Sequence, residues 1–222
     1  MQYLFESEAG KETLEIKDES YRYLFKVRRH KIGETVTLRN LEDNFVYFYK
    51  IKSVTKKEAL LVLKDKSELV VKPSKYLHIG WCIVDPKIIE KTLPMLNEIG
   101  VSKISFIYCQ RSQKNFKINF QRVQKIVINS SQQCGRSEMM EFEELNSVQN
   151  FLEIYPKSAI IDFGGKSLKG SLPLETVIIG CEGGFSENER KFFTNRPIYK
   201  VETPMVLRSE SAAVAVSAMI LL

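Results

Sequence analysis

From Tyr76 to the C-terminus, apolar runs of strand length alternate with helical patterns, and no other feature constrains the fold as strongly. Strands are expected over residues 76–84, 103–108, 158–163, 176–180 and 198–201, and helices over 87–99, 120–134, 187–193 and 209–222. Helices between strands supply the crossovers that parallel pairing needs, so this part should be an α/β domain with a mostly parallel sheet. The chain before it reads differently. Apolar segments at 2–5, 34–41, 45–54 and 59–63 are punctuated by Asp43-Asn44 and Lys56-Lys57, with one short helix over 19–28. A small β-barrel is the economical arrangement. The change of character at Lys72-Pro73-Ser74 divides the chain into a barrel at 1–72 and an α/β domain at 73–222.

The 222 residues are 44% hydrophobic and 27% charged, a globular composition that excludes collagen-like, coiled-coil and disordered classes. Cys82, Cys109, Cys134 and Cys181 contain no C-x-x-C pair and share no ligand spacing with His30 and His78, so no metal is expected. His78 lies within an apolar strand and is expected in the core, which leaves no Ser/His/Asp or Cys/His arrangement. The N-terminus carries acids where an export signal needs a basic region and then an apolar run. The most apolar stretch, 212–222, is shorter than the roughly 20 residues that span a bilayer. The expectation is a cytoplasmic protein with reduced thiols and no membrane partner.

The densest chemical signal lies at 177–189, where an apolar strand runs into Gly180-Cys-Glu-Gly-Gly-Phe185 and Ser186 with Glu189 forms a capping box for a helix. Open α/β sheets bind ligands at such strand ends, because glycines let backbone groups approach the ligand closely. The loop has neither the dinucleotide nor the Walker A spacing, and Glu182 would repel a phosphate. A nucleoside carrying positive charge suits it better, and S-adenosylmethionine meets that description. An ordinary strand-to-helix turn is the alternative.

The 33 Lys and Arg exceed the 27 Asp and Glu by 6, and the excess is uneven. No acid occurs between Glu98 and Glu138, while Lys103, Arg111, Lys114, Lys117, Arg122, Lys125 and Arg136 all fall there. That favours a nucleic-acid partner over a merely solvated face. A second cluster, Arg22, Lys26, Arg28, Arg29 and Lys31, lies beside Tyr21, Tyr23 and Phe25, rings that either stack on bases or fill the barrel core. The acidic run Glu141, Glu143, Glu144 reads as a solvated face, and Gly135 as a helix stop. At the C-terminus Arg208 and Glu210 introduce a helix that is small or apolar around nearly its whole circumference. Its alanines admit a close neighbour, as a homodimer interface or as a central helix of a monomer.

In order and spacing these segments resemble the RsmE family of 16S ribosomal RNA (uracil-N3)-methyltransferases, in the SPOUT superfamily. Gly180-Cys-Glu-Gly-Gly-Phe185 is similar to the family's G-P-E-G-G-F, and Val206-Leu-Arg-Ser-Glu-Ser-Ala212 to its I-L-R-x-E-T-A. Tyr23-Leu-Phe-Lys-Val-Arg-Arg29, Asn97-Glu-Ile-Gly-Val-Ser-Lys-Ile104, Gln110-Arg-Ser112 and Gln132-Gln-Cys-Gly-Arg136 resemble further family segments. Cys181 departs from a family proline, Gln132 from glutamate, Tyr23 from histidine, and Glu202-Thr203 from Leu-Gly. The resemblance implies a PUA-like β-barrel, then a SPOUT-type α/β domain whose C-terminal segment threads a trefoil knot, and a homodimer. S-adenosylmethionine would be held by Ile179, Gly180, Glu182, Gly183, Gly184, Thr203, Val206, Leu207 and Arg208. The 16S RNA, free or in the small ribosomal subunit, would meet Arg22, Arg29, Arg111, Lys114 and Arg136.

Methylation at N3 of uracil requires that the imide lose its proton and that the resulting charge be stabilised. Arg208 is the candidate for holding the base and stabilising that charge. Glu210 and Glu182 are candidates for orienting Arg208 or taking the proton. Two other functions fit the same residues. One is a methyltransferase of the same fold acting on another RNA base. The other is a non-catalytic RNA-binding ribosome assembly factor in which Glu202-Thr203 has disabled the cofactor loop.

Overall fold

Five strands build the N-terminal unit of the computed structural model, which describes residues 3–169 and 172–222. They are β1 (Leu4–Phe5), β2 (Thr13–Ile16), β3 (Thr35–Arg39), β4 (Phe45–Val54) and β5 (Ala59–Glu68), ordered β1-β3-β4-β5-β2. Only the β1–β3 pair is parallel. Alternate side chains point inward, so that Leu38, Tyr49, Ile51 and Leu61 fill the core. The expected short helix is α1 (Asp18–Tyr21), continued by a π-helical turn at Arg22–Val27. It buries Tyr21, whose hydroxyl donates to the Thr55 carbonyl at 2.8 Å. Strand β2 escapes sequence reading because Thr-Leu-Glu-Ile is too short to show a period. Gln2, expected to begin the first strand, lies outside the described residues.

This unit comprises the described part of Met1–Lys72 together with Ile128–Met139, whereas the expected boundary assigns all of 120–134 to the α/β domain. Hydrogen bonds account for the grouping: the Tyr3 hydroxyl donates to the Arg136 carbonyl at 2.6 Å, and Ser137 and Val71 bond each other through backbone and hydroxyl.

The second unit, Pro73–Val127 with Met140–Leu222, carries six parallel strands. These are β6 (His78–Cys82), β7 (Lys103–Ile107), β8 (Glu141–Leu145), β9 (Ala159–Ser167), β10 (Thr176–Ile179) and β11 (Ile198–Lys200), in the order β11-β9-β10-β6-β7-β8. Its helices are α2 (Pro86–Ile99), the first half of α3 (Phe120–Cys134), α4 (Val148–Ile154), α5 (Glu187–Arg190) and α6 (Ser209–Leu221). Every residue of the central β6 is buried, as covered parallel strands require. Asp85 caps α2 by accepting from the Lys87 amide at 2.8 Å, and Gly100, at φ +110°, ends it. A Cβ on Gly80 would sit 2.5 Å from the Phe151 ring, so α4 packs on β6 only because residue 80 is glycine.

Neither β8 nor α4 is expected from the sequence, and of the acidic run Glu141 and Glu144 are exposed as expected, whereas Glu143 is half-buried. Glu143 accepts from Ser105 Oγ and from the Tyr155 hydroxyl at 2.7 Å, and pairs with Lys103 at 3.2 Å. Donors on β7 and after α4 thus make a glutamate stable within an edge strand. Ser105 also meets His78 Nε2 at 2.6 Å, which satisfies the buried imidazole. Among the described residues no helix is long and apolar enough to cross a membrane.

His78 is 1% exposed. Burial lowers its pKa to about 4, the Lys103 charge adds to that effect, and Glu143 opposes it. The unfolded chain therefore binds a proton between pH 6.5 and 4 that the folded chain refuses, and stability falls as pH falls through that window. Denaturant unfolding should show about 2 kcal/mol less stability at pH 5 than at pH 7 from this group. His78→Gln should flatten that part of the profile, and an unchanged slope would show that His78 does not set it.

Candidate functional site

Loops after β10 and β11 meet at the carboxyl edge of the sheet, where a single hydroxyl holds the arrangement together. Ser209, the first residue of α6, donates from Oγ to the Gly180 carbonyl at 2.6 Å and accepts from Trp81 Nε1 at 2.9 Å. The start of α6 is thereby fixed to the ends of β6 and β10. Gly184, at φ +64°, lets the loop turn back so that its amide donates to the Cys181 carbonyl at 2.9 Å. A Cβ on Gly180 would stand 3.3 Å from Gly184 Cα. The capping box forms as expected: Ser186 Oγ accepts from the Glu189 amide at 3.2 Å and Glu189 Oε2 from the Ser186 amide at 2.8 Å. The other oxygen of this buried carboxylate accepts from the Gln110 amide at 2.8 Å, so the segment after β7 is tied to the same helix start.

Between the two loops lies a cavity of about 240 Å³. Ile179, Gly180, Glu182, Gly184, Thr203, Val206 and Leu207, all expected to hold the cofactor, line it. Gly183 and Arg208, expected with them, stand outside that lining. The Gly183 carbonyl accepts from Arg111, and a Cβ there would meet Arg111 Cδ at 3.2 Å, so this residue faces the segment after β7. Arg208 extends its side chain into solvent, 79% exposed, with Nη1 at 4.0 Å from Glu210 Oε1. Glu210 Oε2 is buried and has no hydrogen-bond partner among the described residues. Glu182 is exposed on the cavity wall. The three catalytic candidates therefore separate into an Arg208–Glu210 pair at the start of α6 and a carboxylate across the opening.

The walls include residues that sequence reading missed. Phe163 and Met205 present exposed apolar surface beside the expected Val206, and Asp162, at the end of the apolar run of β9, is held by a two-pronged ion pair with Arg190. An acid ending a buried strand was the available signal for Asp162. Lys200 also lines the cavity, with Glu202 at 3.8 Å, whereas Glu182 makes no ion pair among the described residues. Paired charges, one unpaired carboxylate, apolar walls and loop backbone suit a cationic nucleoside and offer no phosphate cradle.

Of the residues expected to meet RNA, Arg22, Arg29, Arg111 and Lys114 are exposed. Arg136 is not: it is 3% exposed, with Nη2 at 3.3 Å from Glu138, which corrects its placement on an outer surface. Tyr21 belongs to the barrel core, while the Tyr23 ring lies under the Arg28 guanidinium at 5.3 Å. Among the described residues no cluster of three or more His, Cys, Asp or Glu side chains is placed to hold a metal.

Comparison with known proteins agrees with this geometry. A family model described as RNA methyltransferase domain matches residues 72–221, and one described as RNA methyltransferase PUA domain matches residues 16–64. Over 221 residues, 98% of each chain, the protein is 45% identical to the ribosomal RNA small subunit methyltransferase E of Helicobacter pylori. The protein of the same name from Aquifex aeolicus is 25% identical over 223 residues, 96% of each chain. The ribosomal RNA small subunit methyltransferase E of Neisseria gonorrhoeae, solved bound to S-adenosyl methionine, shares the fold with a TM-score of 0.82 and 19% identity, over 98% of this chain and 95% of that one. Identity of this degree along nearly the whole of both chains, on this fold, places the protein in the ribosomal RNA small subunit methyltransferase E family.

Proposed function

We propose that the protein transfers a methyl group from S-adenosylmethionine to N3 of a uridine in 16S ribosomal RNA, as a homodimer whose C-terminal segment is knotted. The observation that carries this reading is the cavity between the loops 180–185 and 201–207 at the carboxyl edge of a parallel sheet, in a member of this family. The residues fit the donor: apolar walls from Phe163 and Val206 accept a flat base, loop backbone offers hydrogen bonds, and the unpaired Glu182 favours a positive sulfonium. S-adenosylmethionine supplies an activated methyl group, and the remaining tasks fall to the protein's own side chains.

Arg208 stands between two residues that line the cavity, Leu207 and Ser209, with its guanidinium in solvent where a base can reach it. It stabilises negative charge on the uracil carbonyls as N3 loses its proton. Glu210 steadies that guanidinium through Oε1, and its carboxylate is the candidate to take the imide proton. The exposed cations Arg22 and Arg29 on the barrel, with Lys114, supply contacts to phosphates. A homodimer accounts for α6, which buries Ala213, Val216, Ser217 and Ile220 while its intervening apolar positions stay half-covered.

Gly184→Val places a branched residue at φ +64° in the cavity wall, and should weaken S-adenosylmethionine binding about tenfold or more by titration calorimetry. Unchanged affinity would put the cofactor elsewhere. Arg22→Gln and Lys114→Gln should each lower the slope of log affinity against log salt for RNA by about 0.7–0.9. Slopes equal to the wild type would assign these cations to solvent. The activity itself is tested by nucleoside mass spectrometry of small-subunit RNA after incubation with protein and S-adenosylmethionine. N3-methyluridine should form, and Arg208→Ala should lower its rate about 100-fold while cofactor affinity stays within about twofold. Absence of N3-methyluridine would refute the reading, and near-normal turnover in the variant would remove Arg208 from catalysis.

A further inference from the structure

Three of the four cysteines gather at the carboxyl edge of the sheet: Cys82 ends β6, Cys109 follows β7, and Cys181 follows β10. All three are buried free thiols, and the Sγ atoms of Cys109 and Cys181 are 3.4 Å apart. Neither residue of this pair is sealed off completely, each being 6% exposed. Cys181 lines the cavity between the two loops, and Cys109 lines a separate cavity of about 440 Å³ beside Ser147, Lys114 and Phe192. Cys82 is enclosed, and burial pushes its thiol well up, which makes it a poor nucleophile. Of the close pair, Cys109 is the one whose pKa is lowered, the Cys181 and Cys82 thiols beside it favouring its thiolate.

We propose that Cys109 and Cys181 form an oxidisable dithiol, a modification site at which a hydroperoxide closes a reversible disulfide that displaces the glycine-rich loop and weakens cofactor binding. The step balances with the peroxide as oxidant. The Cys109 sulfur attacks one peroxide oxygen and the O–O bond breaks, giving a sulfenic acid and releasing the other oxygen as one water from hydrogen peroxide, or as the alcohol from an organic hydroperoxide. The Cys181 sulfur then attacks the sulfenic sulfur, the S–S bond forms, and the sulfenic oxygen leaves as water. Two thiols lose two hydrogens and one peroxide is reduced.

The coupling follows from what holds each sulfur. A disulfide needs the two atoms at about 2.0 Å, roughly 1.4 Å nearer than they stand. Cys109 is anchored: its carbonyl accepts from the Ser112 amide at 3.1 Å, and Ser112 Oγ donates to the Ile83 carbonyl at 2.8 Å. Cys181 lies between Gly180, whose carbonyl accepts from Ser209, and Gly183, whose carbonyl accepts from Arg111, so drawing its sulfur toward Cys109 disturbs the bonds that hold the loop in place. That loop carries Gly180, Glu182 and Gly184, which line the cofactor cavity. This consequence rests on the proposed cofactor site, whereas the cross-link itself does not.

Reduced protein and protein treated with hydrogen peroxide should be compared by peptide mass mapping after alkylation, and by calorimetry with S-adenosylmethionine. A Cys109–Cys181 cross-linked peptide, two hydrogens lighter, should accumulate. Affinity should fall about fivefold or more and return with dithiothreitol. Cys109→Ser should keep the reduced affinity and lose the response to peroxide, with Cys109→Ala as the second variant should the serine misfold. A Cys82–Cys109 link, oxidation at Cys134 alone, or a Cys109–Cys181 link with unchanged affinity would each overturn the proposal. Failure of the reduced wild type to bind S-adenosylmethionine would instead overturn the cofactor assignment, and leave the cross-link mapping to stand or fall by itself.

Discussion

The buried hydroxyl of Ser209 is the interaction on which the functional edge of the α/β unit depends. One oxygen gives its proton to the Gly180 carbonyl at the cavity wall and takes one from the fully buried Trp81 indole, so two polar groups at strand ends are satisfied. Without it the indole N–H would lose its partner inside the core, a cost of about 1–3 kcal/mol. With it, α6 begins at a fixed point, and the loop that precedes it cannot drift away from the loop after β10. The cavity is the space these two constrained loops leave between them.

The same edge is braced from its other side by Glu189, which closes its own capping box and also takes the Gln110 amide. Arg111 then reaches the Gly183 carbonyl, so the segment after β7 supports the glycine-rich loop from behind. Adjacent glycines of that loop consequently differ in what they meet. Gly183 packs against the Arg111 side chain, whereas Gly184, with its positive φ, turns to the cavity that Glu182 also lines.

Much of this was legible in the sequence because the signals were local. The strand ending at Ile179, the glycines after it, the Ser186–Glu189 box and the α6 start at Ser209 all rest on residues within a few positions of each other. What was not legible depends on partners far along the chain. Within the acidic run of β8, Glu143 looks like one more solvated acid until Ser105, Lys103 and Tyr155 are brought against it. Gly183 and Gly184 are the same residue type in sequence, and only Arg111, 72 residues away from Gly183, separates their roles. Arg136 counts as a surface cation by composition, yet it lies among buried residues beside Glu138. A trefoil knot leaves no periodicity at all, and family resemblance alone implies one here.

If the Ser209 pivot and the two loops it joins frame the methyl-donor site, the donor's remnant must lodge between those loops. A crystal structure of the protein grown with S-adenosylhomocysteine, the product that remains after methyl transfer, tests this directly. The nucleoside should lie between the loops 180–185 and 201–207, in contact with the backbone of Gly180 and Gly184 and walled by Val206 and Leu207. Density for the product at any other place on the chain, with this cavity closed or filled by side chains, would contradict the assignment.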